Sequence, residues 1–317
     1  MFHLFRLPYC AYTVVLNQLE PYELMRLSLC SRSAHRMISA APRRHGSLGV
    51  QVFGRVISII NNKGYLIGID YSENHPAHVT MINGVAVDPH SLKAYCKNEE
   101  DAQKVVDYCT RMFKKEISDV NVFGGPMPSF LPDTIRACII NEELMWFPPE
   151  ISRFRITSLL HVSSKPHEGF QFPGPLQMNI LFVRKGTWLT RELLLSMNCC
   201  IVSALGTRLT VEDLKLFIKS WMTGGCGRLK YAVFSLLGLD LENFMEGIEC
   251  ENVSMDVVRE YKMGINDPKI IHGGYDIRRH DGVIATIYNY CKKAPWLPFL
   301  EIVVWPDIDG DIESLYL

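Results

Sequence analysis

Three times between Met178 and Ile248 the chain lays down a short apolar run and follows it with an amphipathic stretch of helical period. Met178–Val183 precedes Thr190–Met197, Cys199–Leu205 precedes Val211–Met222, and Leu229–Leu236 precedes Leu241–Ile248. Strands this apolar must be covered on both faces, and a helix after each strand implies parallel pairing through right-handed crossovers. The helix starts are marked by Thr190 and Thr210, whose hydroxyls can satisfy the free N–H groups of a first turn. Asp213, three residues after Thr210, completes an approximate capping box, and Gly224-Gly225 stops the helix. Units of 20 to 30 residues predict a short, irregular leucine-rich-repeat-like β/α array, a type of surface that binds proteins.

Upstream the period changes. Val50–Ile60 and Tyr65–Tyr71 are β-branched and aromatic runs separated by Asn61-Asn62-Lys63-Gly64, and Val79–Ile82 and Val85–Val87 flank Asn83-Gly84. Asn and Gly tolerate positive φ, so both junctions predict hairpins of a small antiparallel meander. A helix over Glu99–Phe113 follows, with Ala102, Val105, Val106, Cys109 and Met112 as its apolar stripe. Phe123–Pro132 is Gly/Pro-rich and predicts a loop or a second boundary.

The first forty residues predict three short helices. Ala11, Val14, Val15, Leu16 and Leu19 recur at helical spacing; Pro21 opens a second helix to about Cys30; Ser31 caps a third, Arg32 to about Ala40, which Pro42 ends. Helices this short cannot bury their apolar residues among themselves and need a partner surface. The turn-prone Arg43-Arg44-His45-Gly46-Ser47 marks a boundary, giving segments 1–42, 43–115 and 116–317. The fold class expected is therefore α+β: a three-helix unit, a β meander with a helix, then the β/α array.

Composition narrows the function. With 33 Lys and Arg against 34 Asp and Glu, no net field holds a polyanion, so nucleic acid is not an expected partner. The ten cysteines are scattered without a CxxC pair, reading as small buried residues in a reducing compartment, with no metal and no cofactor implied. Arg6 ahead of Leu7–Leu16 has the outline of a secretory signal, but Pro8 opens the stretch and no small-residue cleavage site follows closely; no apolar run reaches the roughly 20 residues of a membrane span. A cytosolic or nuclear protein without a membrane partner is expected.

No constellation converges on catalysis. Gly224-Gly225-Cys226-Gly227-Arg228 follows a helix instead of opening one and lacks the phosphate-loop pattern. His272-Gly273-Gly274 has no nucleophile elbow to accompany it and reads as a flexible turn, and Cys226 with a distant His is one of many such pairs. Asp307, Asp309, Asp311 and Glu313 alternate, but Gly310 is misplaced for a calcium loop. Trp221 belongs to a helix stripe and reads as core; Trp296, between Pro295 and Pro298, is the candidate for an exposed substrate contact. No catalytic residue is assigned.

The stretch FRLPYCAYTVVLNQLEPYELMRLSLCSRSAHRM resembles an F-box, with Leu7-Pro8, Val15-Leu16, Leu19, Pro21, Leu24 and Leu27 at matching positions, though Ser33-Ala34 stands where many F-boxes carry a Trp. The resemblance implies that Leu7, Pro8, Val15, Leu16, Leu19, Pro21, Leu24, Met25 and Leu27 bind a Skp-type adaptor and, through it, a cullin. LTVEDLKLFIKSWMTGGCGRLKY, with LTRELLLSMNC, IRRHDGVIATI and FLEIVVW around it, is similar to the F-box-associated domain, type 2, of the nematode F-box family, over about residues 116–317. Together the two imply the substrate-recognition subunit of a Skp-cullin-F-box ubiquitin ligase that binds an unknown protein substrate and is not itself an enzyme. The other reading is a leucine-rich-repeat-like protein-binding module with no ligase role.

Overall fold

The computed structural model describes residues 6–41, 47–62, 64–72, 74–141, 149–166, 169–236, 238–263, 268–289 and 299–307. The chain divides into two compact units, Met1–Cys138 with Arg153–Arg155, and Ile139–Ser152 with Ile156–Leu317.

The first unit opens with α1 (Tyr9–Gln18), α2 (Pro21–Leu29) and α3 (Arg32–Ala40). The strands β1 (Leu48–Phe53), β2 (Val56–Asn61), β3 (Gly64–Asp70), β4 (Thr80–Ile82), β5 (Val85–Asp88) and β6 (Lys93–Tyr95) precede α4 (Glu99–Phe113), and β7 (Ile117–Gly124) and β8 (Thr134–Ile140) follow it. The strand order is β8-β7-β1-β2-β3-β6-β5-β4. Both predicted hairpins form. Asn61 pairs with Gly64, and Asn83 and Gly84 sit at φ of 48° and 90° between paired Ile82 and Val85.

Two expectations change. The run Val50–Ile60 is not one strand, because it folds back on itself at Gly54, φ 62°, pairing Phe53 with Val56. Nor is the region a pure meander, since β1 pairs parallel with β7 and β3 parallel with β6. The segment Ile117–Gly124, placed by sequence in the C-terminal region, is thus a sheet neighbour of β1. The apolar stripe of α4 is buried as predicted, and Asn98 caps it by accepting a hydrogen bond from Asp101 N at 3.0 Å.

The second unit contains β9 (Arg155–Val162), β10 (Ile180–Val183), α5 (Arg191–Ser196), β11 (Ile201–Ala204), α6 (Val211–Met222), β12 (Tyr231–Ser235), α7 (Leu241–Met245), β13 (Glu251–Tyr261), β14 (Lys269–Arg278), β15 (Ile284–Asn289) and β16 (Phe299–Val304). Leu159, Ile180, Ile201 and Tyr231 stand side by side across four parallel strands, so the repeat is 21 residues twice and then 30. Thr190 and Thr210 cap their helices, and Thr210 N donates to the Asp213 carboxylate at 2.9 Å to complete the box. The parallel rhythm ends at β12. The sheet then continues antiparallel through β16, β15, β14 and β13, so the four parallel strands make up only half of it, and three of them are followed by a helix. Its buried centre includes Phe217, Trp221 and Phe234.

Candidate protein-docking surface

The three N-terminal helices are fixed by local chemistry. The Pro8 carbonyl accepts Ala11 N at 2.9 Å to start α1, the Glu23 carboxylate accepts Glu20 N at 2.8 Å beside Pro21 at the head of α2, and Ser31 Oγ accepts Ala34 N at 3.0 Å to cap α3. Tyr12, Leu16, Leu24, Met25, Ala34 and Ile38 form the buried interior of this group. One side of it is closed by its own unit, because α2 packs on β3 and α3 on α4. The Tyr108 hydroxyl donates to Ser28 Oγ at 2.9 Å, an Arg26 Nη donates to the His90 carbonyl at 2.6 Å, and the His35 ring stacks on Tyr108 at 4.3 Å.

Elsewhere on α1 and α2 the described residues leave apolar side chains uncovered. Tyr9 (55% exposed), Val14 (63%), Val15 (37%) and Tyr22 (43%) present large apolar side chains to solvent. Tyr9 meets Tyr12 edge to face at 5.4 Å, and the Arg26 guanidinium lies 5.9 Å from the centre of the Tyr22 ring. The helix α1 is therefore apolar both inward, through Tyr12 and Leu16, and outward. A helix that is apolar all round is normally buried on all sides.

The nine sequence-predicted adaptor residues divide accordingly. Leu16, Pro21, Leu24 and Met25 are buried inside the helical group; Leu7, Leu19 and Leu27 are half-buried; Pro8 and Val15 are exposed. A charge at Leu16 would report on folding of the group rather than on docking. Val14 belongs to the helical spacing read from the sequence but was not among the predicted adaptor residues, and Tyr9 and Tyr22 were not singled out at all. At the position where many F-boxes carry a Trp, Ser33 is exposed and Ala34 is buried.

The other candidate sites resolve into structural roles. In the loop after α6, Gly224 N and Gly225 N donate to Trp221 O at 3.0 Å and Ser220 O at 2.8 Å, so these N–H groups serve the helix end rather than an anion. Arg228 donates to the Gln177 and Asn198 carbonyls and to Asn179 Oδ1, tying neighbouring loops together. Cys226 is buried, and burial pushes its thiol up to about 11, which keeps it protonated at neutral pH and unsuited to nucleophilic work. His272-Gly273-Gly274 is not a flexible turn. It lies within β14 opposite a bulge of β13, where Val253 pairs with Gly274 and Val258 with His272. A Cβ at Gly273, φ 59°, would come within 2.8 Å of the Val253 carbonyl oxygen, which explains the glycine. Trp221 is buried as expected. Trp296, with Asp309, Asp311 and Glu313, lies outside the described residues, while Asp307 accepts Lys262 N at 3.1 Å. Among the described residues no His, Cys, Asp and Glu group is arranged to hold a metal, and no helix is long and apolar enough to cross a membrane.

Residues 4–45 match the model of the F-box domain, and residues 170–234 match that of the F-box associated family. The chain is similar to an uncharacterized protein of Caenorhabditis elegans, 24% identical over 192 residues, which is 52% of this chain and 44% of that relative. The alignment thus spans less than half the relative's length. No solved structure matches the chain significantly.

Proposed function

From a chain that carries an F-box domain at 4–45 and an F-box associated domain at 170–234, we propose the substrate-recognition subunit of a Skp-cullin-F-box ubiquitin ligase. In this reading the outward face of α1 and the start of α2 bind a Skp-type adaptor, which links the protein to a cullin. The second unit selects a protein substrate. Cytosolic or nuclear action, in keeping with a reducing compartment for the cysteines, belongs to the same proposal, as does a non-catalytic role.

The observation that carries the reading is the exposed apolar surface of these short helices. Tyr9, Val14, Val15 and Tyr22 stay exposed on α1 and α2, although α2 packs on β3 and the neighbouring α3 on α4. Isolated exposed apolar residues are ordinary, but four large ones on a short two-helix segment need a partner. Two of them are tyrosines, a residue type enriched among interface anchors.

The test is calorimetric titration of the full chain with a purified Skp-type adaptor, comparing wild type with Tyr9→Ala/Tyr22→Ala. Removing two anchors should weaken binding by about 2 kcal/mol or more. Undiminished affinity would move the docking face elsewhere, and no binding by the wild type would favour a protein-binding module outside the ligase.

A further inference from the structure

We propose a second binding site in the first unit, a basic cleft that takes an acidic peptide segment of a protein partner. The cleft has a volume of about 920 Å³ and is lined by α3, the Asn83-Gly84 hairpin turn and α4. Its charged groups are all of one sign. Arg32 and Arg36, one turn apart on α3, face it together with Arg111 of α4, and none of the described residues lining it is acidic. His35, the other titratable base in the wall, stacks on Tyr108 and has its pKa lowered by burial and then by Arg111.

The arginines are available. Arg32 and Arg36 are exposed and pair with no carboxylate of a described residue; Arg111 Nε donates to the Asp107 carbonyl at 3.0 Å, which neutralises no charge. The Asp107 carboxylate, one helical turn earlier, accepts Gln103 Nε2 at 2.7 Å and does not line the cleft. The sequence around α3 is equally one-sided. Between Glu23 and Asp70 it holds no acidic residue and seven Lys or Arg, in a chain whose overall net charge is −1.

A local concentration of positive charge on a balanced molecule suits a short anionic segment better than a long polyanion, which would meet repulsion beyond the cleft. The walls also carry Leu29, Met81 and Ile82, which gives apolar side chains of a peptide a place beside its carboxylates. Arginine recognises carboxylates through paired N–H donors. The cleft shares no residue with the Tyr9, Val14, Val15 and Tyr22 face, so it stands or falls independently of adaptor binding.

The experiment is fluorescence anisotropy on the full chain, with a labelled eight-residue peptide alternating Glu and Leu and its Gln/Leu counterpart. The Glu peptide should bind and weaken as salt rises, because screening sets in over about 10 Å at 0.1 M. Arg32→Gln/Arg36→Gln should weaken it about tenfold, and Arg111→Gln on the other wall should weaken it several-fold. All three side chains are exposed, so unfolding curves should match the wild type and separate lost binding from lost fold. Equal binding of the Gln peptide, unchanged affinity in the variants, or tighter binding of a single-stranded oligonucleotide through the same arginines would overturn the proposal.

Discussion

Two residues of α1 allow the proposed docking role to be separated from the fold. Leu16 is fully buried, so Leu16→Ala removes packed methyl groups and leaves a cavity, costing about 2–5 kcal/mol of stability. Val14 is 63% exposed in the free chain. Fully burying a Val contributes about 1.5–3 kcal/mol, so the surface still open at Val14 offers about 1–2 kcal/mol on docking. Val14→Asp forfeits that contact and places an unpaired carboxylate in the interface, at a further cost of about 1–3 kcal/mol or more. The sum is about 3 kcal/mol, roughly a hundredfold in adaptor affinity. The same change should alter stability by no more than about 0.5 kcal/mol, since Val and Asp have similar helix propensities and the site is solvated. Urea unfolding followed by circular dichroism and calorimetric titration with a Skp-type adaptor measure the two quantities on the same samples. The reasoning fails if Val14→Asp binds within threefold of wild type, or if it loses as much stability as Leu16→Ala.

In the second unit, Glu301 is 3% exposed and is held by Lys269 and by the Tyr231 and Tyr288 hydroxyls at 2.8 and 2.9 Å. Lys269→Met should cost about 3 kcal/mol by leaving a buried carboxylate without its cation, and adding Glu301→Gln should recover part of that in urea unfolding. The Asp213 carboxyl has its pKa lowered, first by the Thr210 N–H and further by Arg191. A depressed folded-state pKa gives stability that is present above the unfolded value of about 3.9 and is lost as pH falls through the folded one. Asp213→Asn should therefore flatten the loss of stability below about pH 5 in acid titrations of unfolding.

Much of the fold was legible because its signals are local. Helices α4 and α6 have the ends that periodicity and capping predict, and the Asn83-Gly84 hairpin forms where positive φ is tolerated. Pairing across long separations was not legible. Val50 lies beside Val120 through a parallel ladder, and nothing in either strand's alternation names the other as its neighbour. The antiparallel run β13 to β16 escaped for a related reason: β13 is exposed along nearly its whole length, so it lacks the clean inside–outside alternation that marks a half-buried strand.

Helix α1 shows what the residue pattern alone leaves open. Val14, Val15 and Leu16 are three consecutive apolar residues of one helix, alike in hydrophobicity, yet Leu16 is sealed inside while Val14 is mostly in solvent. Periodicity identifies how many faces of α1 are apolar, but not which is covered and which is left over. For the adjacent α2 the cover is β3, and hence depends on pairings, such as β3 with β6, that the sequence conceals. A family pattern of leucines and prolines mixes both kinds of position, since a fold and an interface built on the same short helices constrain the same residues. Four of the nine predicted adaptor positions are thus buried among the helices, and Tyr9, Val14 and Tyr22 are exposed beside them. Substitutions that test the proposed adaptor binding therefore fall on the exposed set.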